Sequence, residues 1–306
     1  MTLEQLRIFL VVAARQHVTQ AAEVLNLTQS AVSASIAAIE ARHEVKLFDR
    51  VGRGIRLTEA GRLFVPQAEA LLAQARTVEL FLADVGGQAT GTVRIHASQT
   101  VANYWLPQRL VRLQQNFPRI TVELQVGNTA QVAYSVHEGA SDIGVVEGQV
   151  DDVELEKHKV GVDRLVLIVG RDHPWARRKS VTMGELHQTK WVLREEGSGT
   201  RSEFAAALER LGIAVADLEV SLLLPSNEAV CAAVATGIGA SVLSRRVALQ
   251  GVASGQLVAI DLGLPERDFV ALTHRERYRT RALQALLSVL PVDDTDPSLV
   301  ASDRAS

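Results

Sequence analysis

"TQAAEVLNLTQSAVSASIAAIE", Thr19 to Glu40, carries the dipeptide Thr-Gln twice, nine positions apart, each time ahead of small residues. A threonine hydroxyl accepts a hydrogen bond from an unpaired first-turn amide, so Thr19 and Thr28 each predict a helix start. The first helix can then be only about two turns long. A helix so short is marginal alone and must be held by packing, through Ala22 and Leu25. The second runs on to about Arg42, with Val32, Ile36 and Ile39 on one face as core. Its opposite face presents Gln29, Ser30, Ser33 and Ala34, short or hydrogen-bonding side chains at the N-terminal end. A helix that enters a DNA major groove needs such a face.

On either side of this pair the sequence completes a small domain. Upstream, "LEQLRIFLVVAARQ" sets Leu6, Phe9, Leu10 and Ala13 at helical spacing, a third helix to close the core. Downstream, "KLFDRVGRGIRLT" has Gly52 and Gly54 for a tight turn between two short extended pieces, a β-hairpin wing. Lys46, Arg50, Arg53, Arg56 and Arg62 outnumber Asp49 and Glu59 here by five to two. Beside a helix-turn-helix, Arg50, Arg53 and Arg56 are expected to grip phosphate or enter the minor groove; alone they would read as a solvated loop. Thr58 then caps another helix, with Glu59 at its positive end. Its apolar positions run Phe64, Ala68, Leu71, Ala75, Val78, Leu82 and Val85, spaced alternately by four and three until Gly86 and Gly87 stop it. That is a coiled-coil seam on a helix about 40 Å long. Packing on its own domain is the competing reading, but a dimerisation helix fits the narrow stripe better, and two copies of the reader would then meet inverted-repeat half-sites in double-stranded DNA.

The whole-chain numbers agree once they are divided. A net charge of -3 looks wrong for a DNA binder, yet residues 1 to 62 hold eight Lys/Arg against six Asp/Glu, and the remainder 24 against 29. The basic part is the reader. At 306 residues the chain is long enough for two or three domains. No run approaches the length of a membrane span, and Glu4 and Arg7 interrupt what would be a signal's apolar region, so a cytoplasmic protein is expected. One cysteine, Cys231, excludes an internal disulfide and a Cys-based zinc cluster. The polar end "DDTDPSLVASDRAS" is expected to fray.

The block "VTQAAEVLNLTQSAVSASIAAIEARHEVKLFDRVGRGIRLTEAGRLF" closely resembles the LysR-type bacterial transcriptional regulators, with the helix-turn-helix, the "LFDR" approach to the wing, "RLTEAG" and the linker helix in order. The resemblance implies a winged helix-turn-helix domain at 1–58, a linker and dimerisation helix at 59–87, and a two-lobed α/β effector domain like type 2 periplasmic binding proteins at 91–301. It sets lobe I at about 91–162 and 268–292 and lobe II at about 163–267, with crossings near 160–164 and 266–270. Homodimers or homotetramers are implied, with RNA polymerase as a further candidate partner. Two departures stand out. Ala34 replaces an arginine that many members carry, and Glu44 follows His43 where members commonly close the helix with glycine, so one of these two must turn left-handed or the helix must end differently.

The remaining residues support α/β layers on their own. "TVRIHAS", "ITVELQV", "DIGVVEG" and "RLVLIVG" are strand-like and alternate with helical "PQRLVRLQQNF" and "TAQVAYSVHEG"; the pattern repeats with "KWVLREE", "SEFAAALERLGI", "LEVSLLL" and "NEAVCAAVATGI". Such alternation predicts parallel sheets, with ligands at the carboxyl ends of strands. At several of those ends stand hydroxyl-rich helix openers: Ser98 and Thr100, Thr129, Ser198 and Thr200 in "GSGT", and Ser226 with Asn227. Each opener alone is a helix cap, but their recurrence, with Arg201 after "GSGT", predicts a small anionic effector. "EEGSGTR" lacks the lysine of a phosphate-cradling loop. "GIGAS" is no nucleophile elbow, and no HExxH or close metal set occurs, so neither catalysis nor a cofactor is expected. His96 and His274 could line the cleft or be satisfied histidines. Cys231, amid alanine and valine, reads as core. A solute-binding protein or a metabolite-binding transferase would share the α/β fold; neither would need the basic reader and the seam.

Overall fold

The computed structural model describes residues 1–51, 54–84, 89–210 and 212–291, apart from the side chains of Leu80, Ala83 and Met183. The chain divides into two compact units, the first holding the elements up to and including the long helix, with Glu138–Ala140 grouped with it, and the second holding the remaining elements. Arg53, Val85, Gly86, Gly87 and the polar C-terminal stretch lie outside the described residues.

The first unit has three helices, α1 (Leu3–Arg15), α2 (Val18–Leu25) and α3 (Gln29–His43), a two-stranded ribbon of β1 (Phe48–Val51) and β2 (Gly54–Leu57), and α4 (Glu59–Asp84). Thr2 and Gln5 form a reciprocal capping box at the start of α1. One expectation fails here. Thr19 lies inside α2, which is capped by His17, whose Nδ1 accepts from the Gln20 amide at 3.4 Å. The turn after α1 is made by Gln16 in the left-handed region, and starting α2 at Val18 turns Ala21, Ala22 and Leu25 onto the core. Thr28 does cap α3, accepting from the Ala31 amide at 3.2 Å, and Glu44 ends it at φ 52. The non-glycine residue therefore takes the left-handed position. Leu6, Phe9, Val12, Val32, Ile36, Ile39 and Leu47 form the shared core.

In α4, Thr58 accepts from the Gly61 amide at 2.9 Å and donates to the Lys46 carbonyl at 2.7 Å. Gly61 is obligatory at this joint, because a Cβ there would sit 2.2 Å from the Leu47 carbonyl oxygen. Pro66, inside the helix, leaves one carbonyl of the preceding turn without its helical donor.

The second unit holds two five-stranded sheets built on one plan. In the first, β3 (Gly91–Ser98), β4 (Ile120–Gly127) and β5 (Ile143–Glu147) run parallel, joined by α5 (Gln99–Tyr104), α6 (Leu106–Asn116) and α7 (Thr129–His137). The chain leaves through β6 (Leu155–Asp163) and enters the second sheet at β7 (Leu165–Gly170). There β8 (Lys190–Arg194), β9 (Glu219–Leu224) and β10 (Ala240–Ser244) are the parallel set, with α8 (Gly199–Glu209), α9 (Asn227–Ala235) and α10 (Arg245–Ala253). It returns through β11 (Leu257–Ile260) to β12 (Arg267–His274) and α11 (Arg281–Val289). The strand orders are β4-β3-β5-β12-β6 and β9-β8-β10-β7-β11.

The sheets are mixed, against the expectation of parallel ones. β12 pairs antiparallel with β5 and β6, and β7 antiparallel with β10 and β11. These strands arrive from the opposite lobe rather than through a crossover helix on the same sheet, so nothing forces them parallel. Residues 267 to 270, expected at the second crossing, already belong to β12, and the return occupies 261–266. Val93, Ile95, Leu106 and Leu113 centre the first lobe's core, and Leu167, Trp175, Trp191 and Phe204 the second's.

Candidate functional site

In the first unit, Thr28, Gln29, Ser30, Ser33 and Ala34 are exposed on the side of α3 opposite buried Val32, Ile36 and Ile39. The Thr28 and Ser30 hydroxyls touch each other at 3.0 Å. Small side chains leave this helix end open to a flat partner. In the wing, Asp49 stands opposite Arg56 and Arg50 opposite Ile55, so the two arginines leave opposite faces of the ribbon. Both are exposed.

The joint between reader helix and wing is made by Glu40, which the sequence reading missed. Its buried carboxylate accepts from the Leu47 amide at 2.8 Å, the Phe48 amide at 3.3 Å and Lys46 Nζ at 2.7 Å. Burial alone would raise its pKa, but the Lys46 hydrogen bond and the two amides together hold it below the ordinary carboxylate range. Its position four residues after Ile36, on the apolar face, was the available signal.

The linker stripe divides. Ala68 is 1% exposed within its own unit and Phe64 packs on Phe9 with ring centroids 4.8 Å apart, so these two are removed from the expected seam. They fill the space between α4 and α1. Ala75 is half-buried, whereas Leu71 (47%), Val78 (52%) and Leu82 (65%) face solvent.

In the second unit the expected effector residues gather where the strands of both lobes end. Ser98 and Thr100 open α5, Thr129 opens α7, Ser198 and Thr200 open α8, and Ser226 and Asn227 open α9. Ser98, Thr100, Thr129, Ser198, Thr200 and Asn227 are buried. Their hydroxyls do different things. Ser98 donates to the buried Glu147 carboxylate, and Thr129 donates to the Glu147 carbonyl at 2.8 Å. Ser226 is a helix cap, accepting from the Ala229 amide at 3.1 Å. Thr100 and Thr200 accept instead, from Asn227 Nδ2 at 3.2 Å and from Arg267 at 3.1 Å. Arg201 was expected to grip an anion, but its guanidinium turns back to the Arg194 carbonyl at 3.4 Å.

The cations buried at this junction are two that the sequence reading passed over. Arg194, at the end of β8, donates twice to Glu195 at 2.8 and 2.9 Å and once to Asn227 Oδ1 at 2.5 Å. Arg267 makes two bonds to Asp163, at 2.9 and 2.7 Å, and Ser244 adds a third at 2.7 Å. Arg194 ends the strand before "EEGSGTR" and is paired with its neighbour Glu195, whereas Arg267 meets Asp163 only through long-range pairing. Gly199 packs so closely on the first lobe that a Cβ would lie 2.1 Å from the Glu147 carbonyl oxygen.

His274, at the opposite end of β12 from Arg267, meets Glu154 at 3.3 Å, away from the strand ends of the cleft. His96 is in β3 with its pKa lowered by burial. Burial, and then the negative charge of Glu228, push the Cys231 thiol up to about 11, so it stays protonated near neutrality.

Comparison with known proteins matches both units. Residues 3–62 match the family described as "Bacterial regulatory helix-turn-helix protein, lysR family", and residues 86–291 match "LysR substrate binding domain". The chain is 37% identical over 303 residues to the "Uncharacterized HTH-type transcriptional regulator YeiE" of Escherichia coli (strain K12), with 98% of each covered. It is similar in fold to full-length CbnR complexed with its target DNA, with a TM-score of 0.70 at 19% identity over 95% of this chain and 99% of that one. The regulatory domain of Synechocystis PCC6803 CcmR in complex with 2-PG gives 0.60 at 27% identity, covering 70% of this chain and 99% of that one. A helix-turn-helix match, a substrate-domain match and near-complete alignment with a named regulator coincide on one chain, which therefore belongs to the LysR family of transcriptional regulators.

Proposed function

We propose that this LysR-type regulator reads inverted-repeat half-sites in double-stranded DNA as a homodimer or homotetramer, and that a small anionic effector in the interlobe cleft sets its activity. The observation that carries the DNA reading is the exposed, small-residue N-terminal face of α3, set opposite its own buried core face and beside an arginine-bearing wing. Gln29, Ser30 and Ser33 contact bases; Arg50, Arg56 and, from the sequence, Arg53 supply phosphate or minor-groove affinity. For the cleft, support comes from the buried hydroxyls at the strand ends of two facing lobes. That the CcmR domain is seen with 2-PG adds a small-molecule precedent. The function is regulatory rather than enzymatic and belongs in the cytoplasm, where DNA and RNA polymerase are its partners. Protection mapping across the genome, with and without candidate acids, tests the whole; absence of any protected inverted repeat would refute it.

Two substitutions separate the roles. Ser33→Ala should change discrimination between operators by about 1–3 kcal/mol per lost base contact, while Arg56→Ala should weaken all sequences and reduce the salt slope by about one. Fluorescence anisotropy at several salt concentrations distinguishes them, and an unchanged slope for Arg56→Ala would remove this arginine from the interface.

For the oligomer, Leu71→Arg puts an unpaired charge on the exposed apolar stripe of α4 that also carries Val78 and Leu82. Association should weaken by several kcal/mol. Sedimentation equilibrium checks it: an oligomer as tight as wild type would move the interface off this stripe.

A further inference from the structure

Two seams join the lobes, one on each face of the sheets. In the first lobe Val101 of α5 and Val132 of α7 belong to cores on opposite sides of the sheet, and in the second so do Val230 of α9 and Phe204 of α8. On one face α5 meets α9; on the other the start of α7 meets the 195–197 turn that precedes α8. The α5 seam is built like a core. Gln99 bridges it twice, its Nε2 donating to the Pro225 carbonyl at 2.8 Å and its Oε1 accepting from the Asn227 amide at 3.1 Å. Half-buried Tyr104 of the first lobe packs against Val166, Ile168, Val192 and Val230 of the second and donates to the Glu228 carboxylate at 3.0 Å. Burial, and then Glu228, push its pKa up, so the phenol keeps the proton it donates.

The α7 seam is held at its solvent edge by long bonds. Asn128 Nδ2 lies 3.5 Å from Glu195 Oε1 and 3.4 Å from the Glu196 carbonyl, and the Ala130 amide reaches the Gly197 carbonyl at 3.3 Å. Ala130 and Glu196 are exposed. On this face Gly199 touches the Glu147 carbonyl by close packing, and Thr200 is bonded to Arg267, which belongs to the crossing and is pinned there by Asp163. The turn supports itself. The Ser198 amide closes it on the Glu195 carbonyl at 3.3 Å, and Gly197 reverses the chain at φ 84, a conformation that a side chain would strain.

We propose that the 195–197 turn is the lid of the effector cleft, that ligand enters and leaves between it and the start of α7, and that the α5–α9 seam stays shut as the fixed edge. The proposal rests on the cleft reading given above and adds the route into it. Long hydrogen bonds beside water are exchanged for water at little cost, whereas withdrawing Tyr104 would expose apolar surface on both lobes. Such a lid sets how fast the effector exchanges more than how tightly it is held.

Two amides test this without any ligand. Ala130 and Asn227 lie in the first turns of α7 and α9, where no helical carbonyl serves them, so each depends on its bond across the cleft. Hydrogen exchange of the full chain, resolved to single amides and corrected for intrinsic rates, should show Ala130 at least about tenfold less protected than Asn227. Equal protection, or the reverse order, overturns the lid. A second test locks it. A Cβ on Gly197 would stand 3.2 Å from the Ala130 Cβ, so cysteines at both positions need only a small shift to form a disulfide. In a Cys231→Ala background, rapid mixing of Ala130→Cys/Gly197→Cys with 2-PG and with inorganic sulfate should show association and dissociation about hundredfold slower in the oxidised than in the reduced protein. Equal rates in the two forms would place the route elsewhere. If cysteine at φ 84 prevents folding, Asn128→Ser takes its place: serine keeps a cap oxygen for the Gln131 amide but lacks Nδ2. Both rates should then rise about tenfold at unchanged affinity, and wild-type rates would refute the lid. Tyr104→Phe should lower the melting temperature and leave the rates alone; faster exchange would move the opening to the α5 side. If wild type binds neither probe, the anion reading of the cleft fails, and the amide comparison still decides the lid.

Discussion

Asp163→Ala should lower the stability of the effector unit by about 3–5 kcal/mol, because it leaves the Arg267 guanidinium buried without its counter-charge. Asp163 is 1% exposed and Arg267 4%. The carboxylate also takes the Ser244 hydroxyl at 2.7 Å, so the second lobe loses an anchor as well. For a unit of this size the loss corresponds to roughly 6–20 °C in melting temperature. The double variant Asp163→Ala with Arg267→Met should recover part of it, since the fully buried guanidinium is then gone and only the partly buried Arg246, 3.8 Å from Asp163 in the wild type, keeps its charge without this carboxylate. Calorimetry decides: a single variant that melts with wild type would mean that water reaches this pair and that the crossing strands are not held by it.

Phe9→Ala should remove about 3–5 kcal/mol from the DNA-reading unit. Phe9 is fully buried, with ring centroids 5.6 Å from Phe48 of the wing and 4.8 Å from Phe64 of α4. One ring thus fastens the wing and the linker helix to the three-helix core, and a cavity there loosens both. Because the effector unit has separate cores, its unfolding transition should stay in place while operator binding is lost as temperature rises. Thermal melts followed by operator anisotropy and by calorimetry check this. Loss of both transitions together would show that the units do not unfold independently.

What the sequence determined by itself was local. The Thr28 and Thr58 caps, the Val32, Ile36 and Ile39 face, the long apolar repeat after Glu59 and the strand-helix alternation are all set by neighbours within a few residues, and the structure keeps them. A cap or a periodic face needs only the chain adjacent to it. The left-handed end at Glu44 was one of the alternatives left open by comparison with the family, and the structure selects it. The failures share one cause. Thr19 looked like a cap because the competing left-handed turn at Gln16 leaves no motif. The seam seemed to begin at Phe64 because periodicity cannot say whether an apolar position meets its own core or a partner. The sheets seemed parallel because crossing strands carry no mark of their direction. The division of labour among the cleft hydroxyls was the least legible feature. Asp163 and Arg267 are 104 residues apart, and Thr100 and Asn227 are 127 apart. Whether a threonine donates or accepts is decided by which buried N–H the fold brings to its oxygen, and only the tertiary structure brings them together.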